Sequence, residues 1–384
     1  MNVNYRKMNR VTVLIGGDVC PIGRSTSYFI NGDAQSIFGD LLAEFEQASL
    51  TVVNLECPLI KEKSPILKEG PVLGAASECV KGLRDAPVDV VNLANNHIMD
   101  HGSTGLQNTI SVCRAEGIAC VGAGQNLAEA RKVLIHQIRG IRIGILGVAE
   151  HEFSIATKDG CGANPLDVID YVREVQEHRD QWDYLIVLLH GGNEYYAYPS
   201  PRLRKVCRFL VEQGANAVIC QHSHCPGCYE TYQRAYIVYG QGNLVFDNSR
   251  NEERSETWNQ GFLVRLSIHD NLDSTMKIIP YVQCDKLPGA KRMDSIQEDS
   301  LIRKLEQRSR HIQDDGFVVL KWLEFCAGQR CQYLKRLLLP NSRLLAYLNR
   351  KYHLCDTFVF RKKRKLLLNL TRCESHRDIL ETIL

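Results

Sequence analysis

Side chains able to hold a metal ion recur directly behind the apolar runs of this sequence. The run at 11–16 leads to Asp18, that at 50–55 to Glu56, and that at 88–93 to Asn95, Asn96, His97 and Asp100. The run at 184–189 leads to His190, and that at 216–220 to His222 and His224. Singly each is weak, since an aspartate behind a strand is ordinarily a cap or turn former and an isolated histidine a hydrogen-bonded surface or core residue. Their joint placement behind apolar runs, in a chain with 12 histidines, points to a metal centre. Carboxylate, amide and imidazole donors together suit Mn, Fe or Zn better than an all-oxygen Ca or Mg site. The expected cofactor is therefore one or two divalent transition-metal ions. Two ions about 3.5–4 Å apart need a bridging carboxylate and stabilise both the attacking and leaving oxygens of a hydrolysis. Glu56 is placed to be that bridge.

The elements that must position these residues follow from the pattern around them. Continuous β-branched runs without alternation indicate strands buried on both faces, hence a layered α/β sheet whose strand-end loops carry the chemistry. Helices are predicted at 36–47, 76–85, 103–116, 165–180 and 200–213, the last opening with Pro201. Residues 134–137 and 141–147 around Arg139 and Gly140 read as a hairpin, and GFLVRLSI (261–268) and MKIIPYV (276–282) as two further strands. Beyond about 290 the pattern becomes Arg-, Lys- and Leu-rich helix, with periodicity at 301–312, 316–337 and 342–351. A domain boundary is expected near 287–295, separating residues 1–287 from a basic, mainly helical extension at 288–384.

Composition agrees with an ordinary globular protein: 384 residues, 44% hydrophobic, 24% charged and 8% aromatic, which excludes disorder, collagen and coiled coil. The net charge of +3 is unevenly spread, with 21 Lys and Arg against 12 Asp and Glu in 285–384 and 26 against 32 in 1–284. Fifteen cysteines, an odd number scattered over the chain, read as reduced thiols of a cytosolic protein rather than a disulfide framework. Neither a signal peptide nor a run of roughly 18–20 apolar residues is visible, so a cytoplasmic chain is expected. Nothing in the sequence sets the oligomeric state.

Six stretches carry a resemblance: GGDVCPIGR (16–24), NLECPL (54–59), NLANNHIMDHG (92–102), LLHGGNEYYAYPSP (188–201), QHSHCPGCYE (221–230) and VYGQGNLVFD (238–247). In this order they resemble the CapA proteins of capsule and poly-γ-glutamate synthesis, a branch of the calcineurin-like metallophosphoesterase superfamily. The resemblance covers residues 11–285 and leaves the tail out. It implies a four-layer α/β/β/α sandwich with a metal cluster at the strand ends. By that likeness Asp18 and His224 hold one metal, Asn96, His190 and His222 the second, and Glu56 bridges them. His97 stands where the superfamily keeps a histidine near the leaving group, acting as general acid or hydrogen-bond donor. Asp100 either orients that imidazole or caps helix 103–116. Glu194 and Tyr195 match the HxGxEY pattern and would line the pocket mouth, and Asn95 is a further substrate or pocket residue. Asn243 hydrogen-bonds a site loop, and Asp247 supports structure.

The sequence also departs from that pattern. Cys20 stands where the wider superfamily has a histidine, so one donor of the first metal is missing or soft. Gln221 replaces a glycine before the histidine pair and crowds the turn. Cys225 and Cys228 form a CxxC that reads either as a redox or zinc element or as a tight turn with buried thiols. The aromatics Phe317, Trp322, Phe325 and Tyr333 read as a packing face. The basic run 361–365 reads as an anionic-membrane contact that would make the chain peripheral to a membrane, or as a solvated helix face. No recognised motif supports a nucleic-acid partner, and none is expected.

Two functions follow. The first is a metal-dependent hydrolase, with manganese a natural ion, acting on a polymer or small-molecule substrate of capsule, polysaccharide, poly-γ-glutamate or cell-envelope metabolism. It would cleave a phosphoester, with Arg24 helping to hold the phosphate, or an amide, with His97 protonating the leaving nitrogen. The second is a non-catalytic accessory subunit of polymer biosynthesis that keeps the same fold.

Overall fold

The structure is a computed structural model that describes residues 10–247 and 256–338 and isolated positions beyond. In chain order its principal strands are β1 (Arg10–Cys20), β2 (Leu50–Leu55), β3 (Val90–Asn92), β4 (Ala119–Val121), β5 (Leu134–Ile138), β6 (Ile141–Ala149) and β7 (Tyr184–His190). They continue with β8 (Ala217–Gln221), β9 (Tyr229–Tyr232), β10 (Ala235–Val238), β11 (Asn243–Phe246), β12 (Gln260–His269), β13 (Ser274–Gln283) and β14 (Ala290–Arg292). One sheet has the order β14-β13-β12-β1-β2-β3-β4, with β11 paired to the end of β1; the other has the order β9-β10-β8-β7-β6-β5. The β-branched runs behave as read: β2, β7 and β8 are buried throughout and β1 everywhere but Arg10.

Alternation of side chains divides the core into three layers. Val11, Val13, Ile15 and Val52 of the first sheet meet Ile143, Ile145, Ile186 and Leu188 of the second. On the outer face of the first sheet, Leu14, Val53 and Val91 meet Phe29, Ile37, Leu83 and Leu106 of α1 (Thr26–Asn31), α2 (Ala34–Phe38), α3 (Val80–Asp85) and α4 (Gly102–Ala115). On the outer face of the second, Leu185 and Val187 meet Tyr171, Val175, Leu203 and Leu210 of α5 (Val168–Glu177) and α6 (Pro201–Glu212). This is the four-layer α/β/β/α sandwich. Ser200 caps α6 by accepting from the Leu203 N–H, with Pro201 in the first turn.

Three expectations change. The helix expected at 36–47 breaks at Gly39, where φ is 51° and a Cβ would sit 2.8 Å from the Ala290 carbonyl oxygen, and it restarts as Leu42–Glu46. Helix 165–180 is shorter, because Asp167 caps α5 by accepting from Ile169 and Asp170. The boundary expected near 287–295 moves: the first compact unit is Met1–Val318, and Val319–Leu384 forms the second. The cause is α7 (Ser295–His311), whose polar surface masks Leu301 and Leu305, four residues apart and both buried in the layer between the sheets. It packs against β9 and β13. A final helix, α8, spans Asp315–Leu338. The helix expected at 342–351 and the basic run 361–365 fall outside the described residues, apart from isolated positions. Among the described residues no helix is long and apolar enough to cross a membrane.

Candidate metal centre

Every donor singled out in the sequence arrives at one end of the sandwich, because parallel strands deliver their C-terminal ends to the same edge. Asp18 lies near the end of β1, Glu56 directly follows β2 and Asn96 follows β3, all from the first sheet; His190 ends β7, and His222 and His224 follow β8, from the second. Beside Asp18 the pairing of β1 with both β2 and β11 slips register, a bulge that re-aims the strand end. Gly17 permits this approach, since a Cβ there would sit 2.0 Å from the Gly242 carbonyl oxygen. His222 and His224 both take left-handed backbone, with φ of 91° and 51°. Two such residues in one turn cost on the order of 1–3 kcal/mol each, a strain that active sites commonly retain.

His190 Nε2 lies 3.1 Å from Asn96 Oδ1, 3.1 Å from His222 Nδ1 and 3.6 Å from Glu56 Oε1. His224 Nε2 lies 3.7 Å from Glu56 Oε1, and its Nδ1 3.7 Å from Asp18 Oδ2. Glu56, His222 and His224 offer ligand atoms all within 4.8 Å of one another. All six side chains are buried, and both oxygens of Glu56 lack any hydrogen-bond partner among the described residues. A carboxylate hidden without a donor is costly unless a cation meets it. The donor set and this orphaned carboxylate fit a divalent metal.

The electrostatics agree. Burial, with Asp18 and then Glu194 nearby, pushes the Glu56 carboxyl well above its ordinary range, and burial likewise raises Asp18. Burial, then the neighbouring His222 and His224, holds His190 well below the ordinary histidine range; burial takes His222 down to about 3 and lowers His224. All three imidazoles are thus neutral near pH 7, the form that binds metal. His224 Nδ1 meets Asn243 Oδ1 at 2.8 Å, so the ring donates from Nδ1 and turns the Nε2 lone pair toward Glu56. Asn243 therefore acts through His224.

Around the donors the structure assigns the remaining residues. Asp100 orients His97: Oδ2 lies 2.6 Å from His97 Nδ1, while α4 has no side-chain cap. Burial alone would raise Asp100, but the His97 hydrogen bond, the His97 charge, the Leu73 N–H and Lys68 outweigh it and hold its carboxyl below the usual range. Tyr195 is half-exposed at the mouth, its ring 6.3 Å from His224, and Glu194 is exposed beside it. Asn95 is fully buried, donating to the Leu55 carbonyl and accepting from the His97 N–H. The Arg24 guanidinium is engaged away from the donors, donating to both oxygens of Asp247 and to the carbonyls of Cys284, Asp285 and Lys286. That grip confirms Asp247 in a structural position.

Cys20 is fully buried, its thiol hydrogen-bonded to Cys57 and pushed well above its usual range by burial first. Gln221 does more than crowd a turn, since its Nε2 donates to the Gly16 carbonyl at 2.9 Å and ties one sheet to the other. Cys225 and Cys228 are buried thiols, Cys225 pushed up to about 11 by burial, and neither joins a metal-sized cluster among the described residues. Two contributors escaped the sequence reading. Trp258 stacks 5.0 Å from His224, and Lys68 binds Asp100 at 2.7 Å. Lys68 sits in an irregular stretch with no periodic signal.

Comparison with known proteins then fixes the family. The model of bacterial capsule synthesis protein PGA_cap matches residues 12–248, more than half of the chain. The chain belongs to the PGA_cap family. The PGA biosynthesis protein CapA of Bacillus subtilis is 29% identical over 281 residues, 72% of this chain and 72% of the relative. Capsule biosynthesis protein CapA of Bacillus anthracis is 26% identical over 288 residues, 72% of this chain and 69% of the relative. A probable polyglutamine synthesis accessory protein of Mycobacterium tuberculosis is 28% identical over 284 residues, 62% of this chain and 74% of the relative. Among solved structures, a calcineurin-like phosphoesterase of Bacillus subtilis, YfkN, aligns at a TM-score of 0.37 and 12% identity, over 78% of this chain and 97% of that one. The PGA_cap match ends at residue 248, so α7 and α8 lie beyond it.

Proposed function

We propose that this PGA_cap protein is a metal-dependent hydrolase of capsule or poly-γ-glutamate-type polymer metabolism, cleaving a phosphoester or an amide. The observation that carries the reading is the convergence of Asp18, Asn96, His190, His222 and His224 around the buried Glu56 carboxylate, which has no hydrogen-bond donor among the described residues. Asn96, His190 and His222 would hold one ion, Asp18 and His224 the other, with Glu56 shared. Divalent ions in such a site supply Lewis acidity and make water a stronger acid; Mn, Fe and Zn are the ions this donor set suits. The chain's own residues do the rest. Burial keeps the imidazoles neutral, Asn243 fixes the His224 ring, and His97, held through Nδ1 by Asp100, offers Nε2 for a proton or hydrogen bond to the departing atom. Tyr195 and Trp258 flank His224 with aromatic surface.

The test is elemental analysis of protein purified without chelator, beside Glu56→Ala, followed by bis(4-nitrophenyl) phosphate and a γ-glutamyl anilide with added manganese. One or two transition-metal ions, lost in the variant, with manganese-dependent turnover of either compound, support the proposal. Absence of metal under every loading condition defeats it. Metal without turnover favours the accessory-subunit reading, which the name of the Mycobacterium tuberculosis relative motivates.

A further inference from the structure

Residues 61–74 join the short strand Leu59–Ile60 to Ala75 without regular structure, and their partition between water and protein is inverted. Leu67 is 100% exposed, while the side chain of its neighbour Lys68 is 2% exposed. Lysine is rarely buried unless something pairs with it. Here the ammonium lies 2.7 Å from Asp100 Oδ1, 3.3 Å from the Asn96 carbonyl oxygen and 3.4 Å from His97 Nδ1. The other Asp100 oxygen takes the His97 ring at 2.6 Å and the Leu73 N–H at 2.7 Å. The Ile66 N–H donates to the Asp100 carbonyl, and the Ser64 N–H to His101 Nδ1. The whole stretch is thus strapped onto the turn that carries Asn96 and His97.

We propose that Lys68 is a positioning residue for His97, and that 61–74 is a working part of the site rather than a connection. This rests on the hydrolytic reading. A buried ion pair is weak support for stability, because an apolar side chain of similar volume commonly serves as well. What the ammonium adds is direction. It occupies Asp100 Oδ1, so Oδ2 is left for His97 Nδ1 and the Leu73 N–H, and the imidazole is held with Nε2 as its open atom. A ring held at one edge by a carboxylate that is itself pinned cannot swing out of line with a leaving group.

The experiment uses the full chain with K68M and K68Q, the latter keeping a donor in the slot should K68M not fold. Three quantities are read: metal per chain, the hydrogen-bonded Nδ1–H proton resonance of His97 in chelated protein, and manganese-dependent cleavage of two esters. H97N assigns the resonance by abolishing it. The esters are bis(4-nitrophenyl) phosphate, whose leaving group departs readily, and diphenyl phosphate, whose leaving group needs a proton. The expected result is unchanged metal content, loss of the His97 resonance, and a kcat on diphenyl phosphate reduced about 10–100-fold with KM unchanged, the nitrophenyl ester being affected far less. A normal resonance with normal rates overturns the proposal, as does an equal loss on both esters accompanied by loss of metal. If the unmodified protein cleaves neither ester, the phosphoester form of the reading fails on its own, and the resonance in K68M still decides what Lys68 does.

Discussion

On one side of the centre His190 Nε2 stands 3.1 Å from Asn96 Oδ1 and from His222 Nδ1, with Glu56 at 3.6 Å; on the other, His224 Nε2 stands 3.7 Å from Glu56, and Asp18 lies 3.7 Å from the opposite ring nitrogen, Nδ1. The looser side is also the poorer one, since Cys20 holds the position where the resemblance expects a further nitrogen, and its thiol is turned to Cys57. On the proposed division the Asn96 side would bring four donors to its ion and the Asp18 side three. A pre-formed site binds better than one that must be gathered. The two halves should therefore fill in order, the Asn96 half first.

Removing one donor from each half separates the two. His190→Ala is expected to abolish metal binding and turnover, about a 10³-fold loss or more, whereas His224→Ala retains one equivalent; elemental analysis distinguishes them, and equal losses would erase the distinction. Next in size, Asn243→Ala frees the His224 ring and should weaken the second equivalent about 10–100-fold in a metal titration. Cys20→His tests the missing nitrogen directly. About a tenfold gain in affinity for the second ion is expected, together with a stability cost of about 1–3 kcal/mol because the position is fully buried; a variant that folds but binds no better would show that Cys20 is not what limits this half.

The smallest effect is thermodynamic. In chelated protein the raised folded pKa of Glu56 means that its contribution is full below the unfolded value and is lost as pH rises through the folded one. Glu56→Gln should then raise the melting temperature near pH 7 by about 2–4 °C for each kcal/mol recovered, while destroying metal affinity. The histidines act in the opposite direction. Their folded pKa values are depressed, so their contribution is full above pH 6.5 and is lost as pH falls from there toward the folded values, about 3 for His222. With the opposing carboxylate removed, chelated Glu56→Gln protein should accordingly melt earlier at pH 5 than at pH 7, and a flat profile of that variant over the interval would contradict neutral, buried imidazoles.

What could be read in advance was whatever repeats or alternates. Uninterrupted β-branched runs gave both sheets, and the donors behind them followed because parallel strands end together. Three-dimensional pairings were not legible. Arg24 beside the first motif looked free to hold a phosphate, yet its partner Asp247 lies 223 positions away. Gln221 looked like an awkward substitute for glycine until its amide met Gly16 on the opposite sheet. α7 was assigned to a separate domain because charge dominates its composition, and two leucines were enough to draw it into the core. Lys68 gave no signal, since a lysine among exposed residues carries no periodicity.

Because each sheet supplies half of the donors, the centre cannot exist in either sheet alone. Asp18 and His224 come together only after some two hundred residues have folded between them, the kind of distant pairing that slows a folding reaction. The ions then act on the kinetics unequally: they should do little for the rate of collapse, which precedes their site, and much for the rate of escape, since opening the sandwich means tearing the clasp apart.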